Sequence, residues 1–159
     1  YSKLISPGMR VGSAVVSNPA LLRQVVIGKQ SQDVHSPLLT QAIVDEYLRR
    51  GLLPPHIRRI CADYKAQLDA MLDSFRDFPA GTVHTAPQGG LFVWAALPEG
   101  YDAQALLPAC VEKNVAYVPG VHFYPEGGHE NTLRLNFSNA PAPQIRQGMR
   151  ALAEAIKEG

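Results

Sequence analysis

From Pro54-Pro55 to Phe75, the apolar residues Ile57, Ile60, Cys61, Tyr64, Leu68, Met71, Leu72 and Phe75 recur at helical spacing. The spacing predicts a helix of about six turns, roughly twice the usual length, and a helix of that length often bridges two domains. At 159 residues the chain can hold one domain with a real core, or a small domain plus part of another. The long helix is compatible with the second arrangement.

The texture differs on the two sides of that helix. Upstream, Arg10 to Val16 (RVGSAVV) is rich in β-branched residues and predicts a buried strand. Asn18 and Pro19 form a cap and first helical position for a short helix, Ala20 to Ile27, closed by Gly28. A second helix is expected from Pro37 to Arg50, with Gly51 as its stop. Downstream of Pro79-Ala80-Gly81, strand-like runs Thr82–Thr85 and Leu91–Leu97 flank the turn Pro87-Gln88-Gly89-Gly90. A helix capped by Asp102 runs to Lys113. Strands follow at Val115–Val118 and Thr132–Phe137, and Pro141 opens a last amphipathic helix. Helices and strands sharing one sheet make this half an α+β sandwich with its own core, and the whole chain α/β.

Bulk properties exclude several classes of function. A composition 46% hydrophobic and 18% charged is that of a globular protein. The net charge of +1, with its cations spread, suggests no surface for nucleic acid or anionic membrane. No apolar run is long enough to cross a bilayer. Cys61 and Cys110 stand alone, without CxxC spacing, so both are expected to be small buried residues in a reducing, cytoplasmic compartment. Tyr1-Ser2-Lys3 is neither an initiator methionine nor a leader, which leads us to expect a chain numbered from inside a larger protein.

The densest chemical constellation is the opening Ser2-Lys3-Leu4-Ile5-Ser6-Pro7-Gly8-Met9-Arg10-Val11-Gly12, read as a lysine at a strand end, a Pro-Gly turn and an arginine that opens the next strand. A lysine amine can form an imine with an aldehyde, and an arginine fixed nearby offers a fork of donors suited to a phosphate. The bland alternative is a surface lysine and a strand-edge arginine. Arg134 is the second anomaly. It lies in the apolar run Leu133-Arg134-Leu135-Asn136-Phe137, where a guanidinium is costly without an anionic partner. That partner is either an internal acid or a bound carboxylate.

These residues resemble a known family. SKLISPGMRVG is similar to the Ser-x-Ser-Lys, Pro-Gly, Arg-hydrophobic-Gly segment of fold-type I aminotransferases of the class I/II group, which use pyridoxal 5'-phosphate (PLP). GKQSQDVHSPLLTQ, PQGGLFVWAALPEG, VAYVPGVHFY and NTLRLNFSNAP resemble further segments of that family, in the same order. The small-domain wording looks most like the branch of 2-aminoadipate and aromatic aminotransferases and MocR-type regulators. The resemblance implies the C-terminal part of the large PLP-binding domain over residues 1–52, an interdomain helix over 53–78 and the α+β small domain over 79–159. By it, Lys3 holds the cofactor and moves the proton, Ser2 and Arg10 belong to the cofactor site, and Arg134 grips the substrate α-carboxylate. It also implies an amino-acid and 2-oxo-acid substrate pair and a homodimer, with His35 in a stretch facing the partner's site.

Other residues carry less. His122 and His129 flank a Gly-rich loop without metal-ligand spacing and are expected to be exposed. Tyr117, Phe123 and Tyr124 suit either a core or a substrate side-chain pocket. Gly89-Gly90 lacks the helix start of a phosphate loop and is expected to allow close approach at a cleft. Much of the family's cofactor site belongs upstream of Tyr1, so these 159 residues alone are expected neither to bind PLP well nor to transaminate. Two other readings stay open: the effector-sensing domain of a MocR-type regulator, and a non-catalytic interaction module.

Overall fold

A computed structural model describes residues 1–159, which divide into two compact units, Tyr1–Ile60 and Cys61–Gly159. The first unit is helical. Pro7–Met9 forms one 3-10 turn, followed by helix α1 (Pro19–Gln32), helix α2 (Leu38–Arg49) and the start of helix α3 (Leu53–Ser74), which continues into the second unit. Asn18 caps α1 as expected, its side-chain oxygen accepting from the Ala20 and Leu21 amides at 2.9 and 3.2 Å. Gly51, at φ +65°, takes the left-handed conformation that stops α2.

Two expectations fail here. The strand over Arg10–Val16 does not form: residues 10–18 are neither helix nor strand, and Val15 is fully exposed. A strand exists through hydrogen bonds to a neighbour, and no segment of this chain pairs with it. Helix α1 also runs five residues past Ile27. One helical glycine costs only about 1 kcal/mol, and Gly28 is followed by a Lys29–Asp33 ion pair one turn apart at 2.6 Å.

The second unit is built on a four-stranded antiparallel sheet in the order β1-β2-β4-β3. Its strands are β1 (Val83–His84), β2 (Phe92–Ala96), β3 (Val118–Pro119) and β4 (Thr132–Asn136), with helices α4 (Ala103–Glu112) and α5 (Ala142–Glu158). The long central pair is β2 with β4, in the register Val93↔Leu135, Trp94↔Arg134 and Ala95↔Leu133. Side chains alternate across it. Val93, Ala95, Leu133 and Leu135 are buried in one core with Leu152, Ile156, Met149 and Ile145 of α5, while Phe92, Trp94 and Arg134 belong to the opposite, half-buried face. Strand β3 is shorter than expected and begins at Val118. The preceding residues close α4, with the Val115 amide donating to Cys110 and Asn114 at φ +60°. Pro119, which has no N–H to give, is tolerated because β3 is an edge strand.

Asp102 caps α4 through the Gln104 and Ala105 amides, at 2.8 and 3.0 Å. Tyr117 is core: its hydroxyl donates to the Ala103 carbonyl at 2.7 Å, and burial pushes its pKa up from the ordinary value. Cys110 is buried as expected. Cys61 is exposed, because it precedes the stretch of α3 (Tyr64, Leu68, Met71, Leu72) that packs on the core.

Two glycines make opposite demands. A Cβ at Gly120 would lie 1.9 Å from Thr132 Oγ1 and 2.9 Å from Trp94 Cζ2, so nothing larger fits between the turn after β3 and the sheet. A Cβ at Gly148, inside α5, meets only Val115 Cγ2 at 3.8 Å. Gly120→Ala is expected to destabilise by about 1–3 kcal/mol through overpacking. Gly148→Ala is expected to stabilise by about 0.5–1 kcal/mol through helix propensity. Urea unfolding of each variant checks both signs.

Candidate active site

In the first unit, Pro7–Met9 turns the chain back so that Ser2, Lys3 and Arg10 line one hollow of about 350 Å³ with Tyr1, Leu4, Val11 and Gly12. The Tyr1 nitrogen donates to the Val11 carbonyl at 2.7 Å and ties the two limbs of this loop together. Lys3 stands in a helical turn closed by the Ile5 amide donating to Tyr1 at 2.9 Å, not at the end of a strand. Arg10 does not open a strand either. It ends the 3-10 turn in the left-handed region, φ 52° and ψ 37°, which few non-glycine residues adopt. Both side chains are exposed and neither is ion-paired. The arrangement offers an amine for an aldehyde and a guanidinium for a phosphate in one concavity.

Arg134 belongs to the second unit, on the face of β4 away from the core. It is half-buried, and its Nε is buried without a hydrogen-bond partner. No ion pair of the chain includes it. Aromatic rings are its neighbours instead: the guanidinium carbon lies 4.2 Å from the Phe92 ring centre and 4.8 Å from that of Phe123. Of the two partners foreseen for Arg134, the internal acid is therefore absent.

The remaining candidates are scattered. Phe123 is 45% exposed and meets Trp94 edge-on at 5.4 Å, whereas Tyr124 stacks on His129 at 4.0 Å. His122 and His129 are exposed, and His122 shares a hydrogen bond of 2.9 Å with Gln104. His35 is exposed, its Nδ1 3.0 Å from the Ser36 carbonyl. Gly89 and Gly90 form a turn, but no other group lies within 4 Å of where a Cβ would stand on either. Gly90 is needed instead for its φ of +84°. That turn borders a groove of about 480 Å³ beside α3, lined by Tyr64, Leu68, Leu72 and Phe137. Its charged pair, Lys65 and Asp69, is mutually satisfied at 2.7 Å, so the groove lacks the unanswered charge found at Arg134.

Phe92 was not foreseen as part of the site. Its signal is the alternation Phe92-Val93-Trp94: once Trp94 is known to face Arg134, Phe92 must share that face.

The family model for aminotransferase class I and II matches residues 2–152. The chain belongs to that family. Among class I and II aminotransferase relatives, aromatic-amino-acid aminotransferase 1 of Thermococcus litoralis is 43% identical over 99% of this chain and 38% of its own length. LysN, the α-aminoadipate aminotransferase of Thermus thermophilus, solved with N-(5'-phosphopyridoxyl)-L-leucine, is 40% identical. It superposes with a TM-score of 0.92 over 99% of this chain and 40% of its own. An HTH-type transcriptional regulator of Bacillus subtilis, YisV, is 27% identical over 99% of this chain and 32% of its own. The chain thus spans about two fifths of the length of the aminotransferases it matches.

An unpaired guanidinium is a cost to folding that a ligand can offset. Arg134→Leu is therefore expected to leave the urea midpoint unchanged or raised, against the usual loss of about 1 kcal/mol for a half-buried substitution. A large drop would mean that Arg134 has a structural partner.

Proposed function

We propose that the protein to which this chain belongs is a PLP-dependent aminotransferase, moving an amino group between an amino acid and a 2-oxo acid. The observation that carries this reading is Arg134, a guanidinium held by aromatic rings with no acid to neutralise it. A planar fork of donors so placed suits a carboxylate in bidentate contact, the group that every amino-acid and 2-oxo-acid substrate has in common. PLP fits the other cluster chemically: Lys3 supplies an amine for its aldehyde, and Arg10 with Ser2 supplies donors for its phosphate, within one hollow. When bound, the cofactor serves as electron sink for the substrate Cα. Lys3 carries the proton through its Nζ, Arg10 anchors the phosphate, and Arg134 fixes the direction of the substrate carboxylate. The phosphopyridoxyl-leucine bound in the Thermus thermophilus relative supports the choice of cofactor.

Residues 1–52 are assigned to the large domain, 53–78 to the interdomain helix and 79–159 to the small domain. A homodimer and a cytoplasmic location belong to the same proposal. The exposed apolar residues Leu21, Leu22, Val25 and Val26 of α1 support further protein covering the first unit, and the unpaired cysteines support a reducing compartment. A second reading, an effector-sensing domain of a MocR-type regulator, is favoured by the full-chain likeness to YisV. Turnover separates the two.

The test is borohydride reduction of the full-length protein with PLP, followed by peptide mapping and a transamination assay. The expected label is on Lys3, with label and activity both lost in Lys3→Ala. The 159-residue chain alone is expected to take up PLP poorly. Label on another lysine, or full activity in Lys3→Ala, contradicts the assignment.

A further inference from the structure

Arg134 needs to be held in place without being neutralised. An internal carboxylate would fix the guanidinium but would also occupy its donors and cancel its charge, in competition with any incoming carboxylate. Aromatic faces attract a cation through their quadrupole while leaving its N–H groups free. The two rings next to Arg134 do this from different supports. Phe92 lies on β2, within the paired sheet. Phe123 lies at the end of the 3-10 turn Gly120–Phe123, which follows β3 directly.

That turn is well placed to carry a positioning ring. Val118 pairs in register with Arg134 itself, so only a short link separates the partner of Arg134 from Phe123. Gly120 allows the turn to approach Thr132 and Trp94 more closely than any side chain permits. The Phe123 ring rests edge-on against Trp94 at 5.4 Å. Yet 45% of the residue remains exposed, which a purely core role does not explain.

We infer that Phe123 is a positioning residue: with Phe92 it orients the Arg134 guanidinium for the substrate carboxylate and leaves its charge available. This rests on the reading that Arg134 takes that carboxylate. Of the two rings, Phe123 is the one that mutation can probe cleanly, because replacing Phe92 also disturbs the central sheet.

The test uses the full-length PLP-loaded protein and calorimetric dissociation constants for two ligands. One is whichever of L-leucine, L-phenylalanine and L-2-aminoadipate binds best; the other is the α-amide of the same amino acid. Phe123→Leu is expected to weaken binding of the acid by about fivefold or more, with little change for the amide. Phe123→Tyr is expected to restore it, and thermal unfolding confirms that both variants fold. In an Arg134→Gln background, Phe123→Leu is expected to add nothing. Equal losses for acid and amide, or an additive loss in the double variant, overturn the positioning role. If Arg134→Gln alone binds acid and amide in the wild-type ratio, the carboxylate reading itself falls, and this inference with it.

Discussion

The pairing of β2 with β4 decides which residues of the second unit are core and which are left on the opposite face. In its register Val93 stands opposite Leu135 and Ala95 opposite Leu133, and all four are buried under α5. The same register puts Trp94 opposite Arg134, with Phe92 on their face. A slip of one residue would carry Arg134 into the apolar core and expel Leu133 and Leu135 from it. The desolvation of an unpaired guanidinium, several kcal/mol, makes that slip prohibitive. Folding energy thus comes from one face of the strand pair, and the other face is left to hold a charge.

The charge is held in an uncommon way. Ion pairs elsewhere in the chain are largely exposed and contribute little, as with Lys65–Asp69 on α3 or Arg50–Glu46 at the end of α2. At Arg134 the neighbours are ring faces and the Nε lacks any acceptor. A site that binds an anion gains from this, since the ligand need not displace a resident carboxylate. The local stability given up at Arg134 is made good by the packed face of the same strands, where Leu133 and Leu135 are buried.

How far the sequence revealed this depends on whether the cause was local. Asn18 and Asp102 were readable as caps, and the α3 period as a long helix, because the reasons lie within a few residues. Arg134 was readable as an anomaly because an apolar alternation surrounds it. Its aromatic partners were not. Phe92 and Phe123 are joined to it by strand register and by a turn whose tightness depends on Gly120, and neither is visible in composition or period. The strand over Arg10–Val16 failed for the converse reason: its residues suit a sheet, but this chain supplies no strand to pair with. Cys61 was misplaced because helical period marks the apolar side of α3 without marking where along it the core begins.

The most direct measurement is a crystal structure of the full-length protein holding an amino-acid–cofactor adduct. The carboxylate should accept hydrogen bonds from both terminal nitrogens of Arg134, with Phe92 and Phe123 still against the guanidinium. A carboxylate seated elsewhere, with Arg134 bonded to an acidic side chain of the protein itself, would contradict the account at its centre.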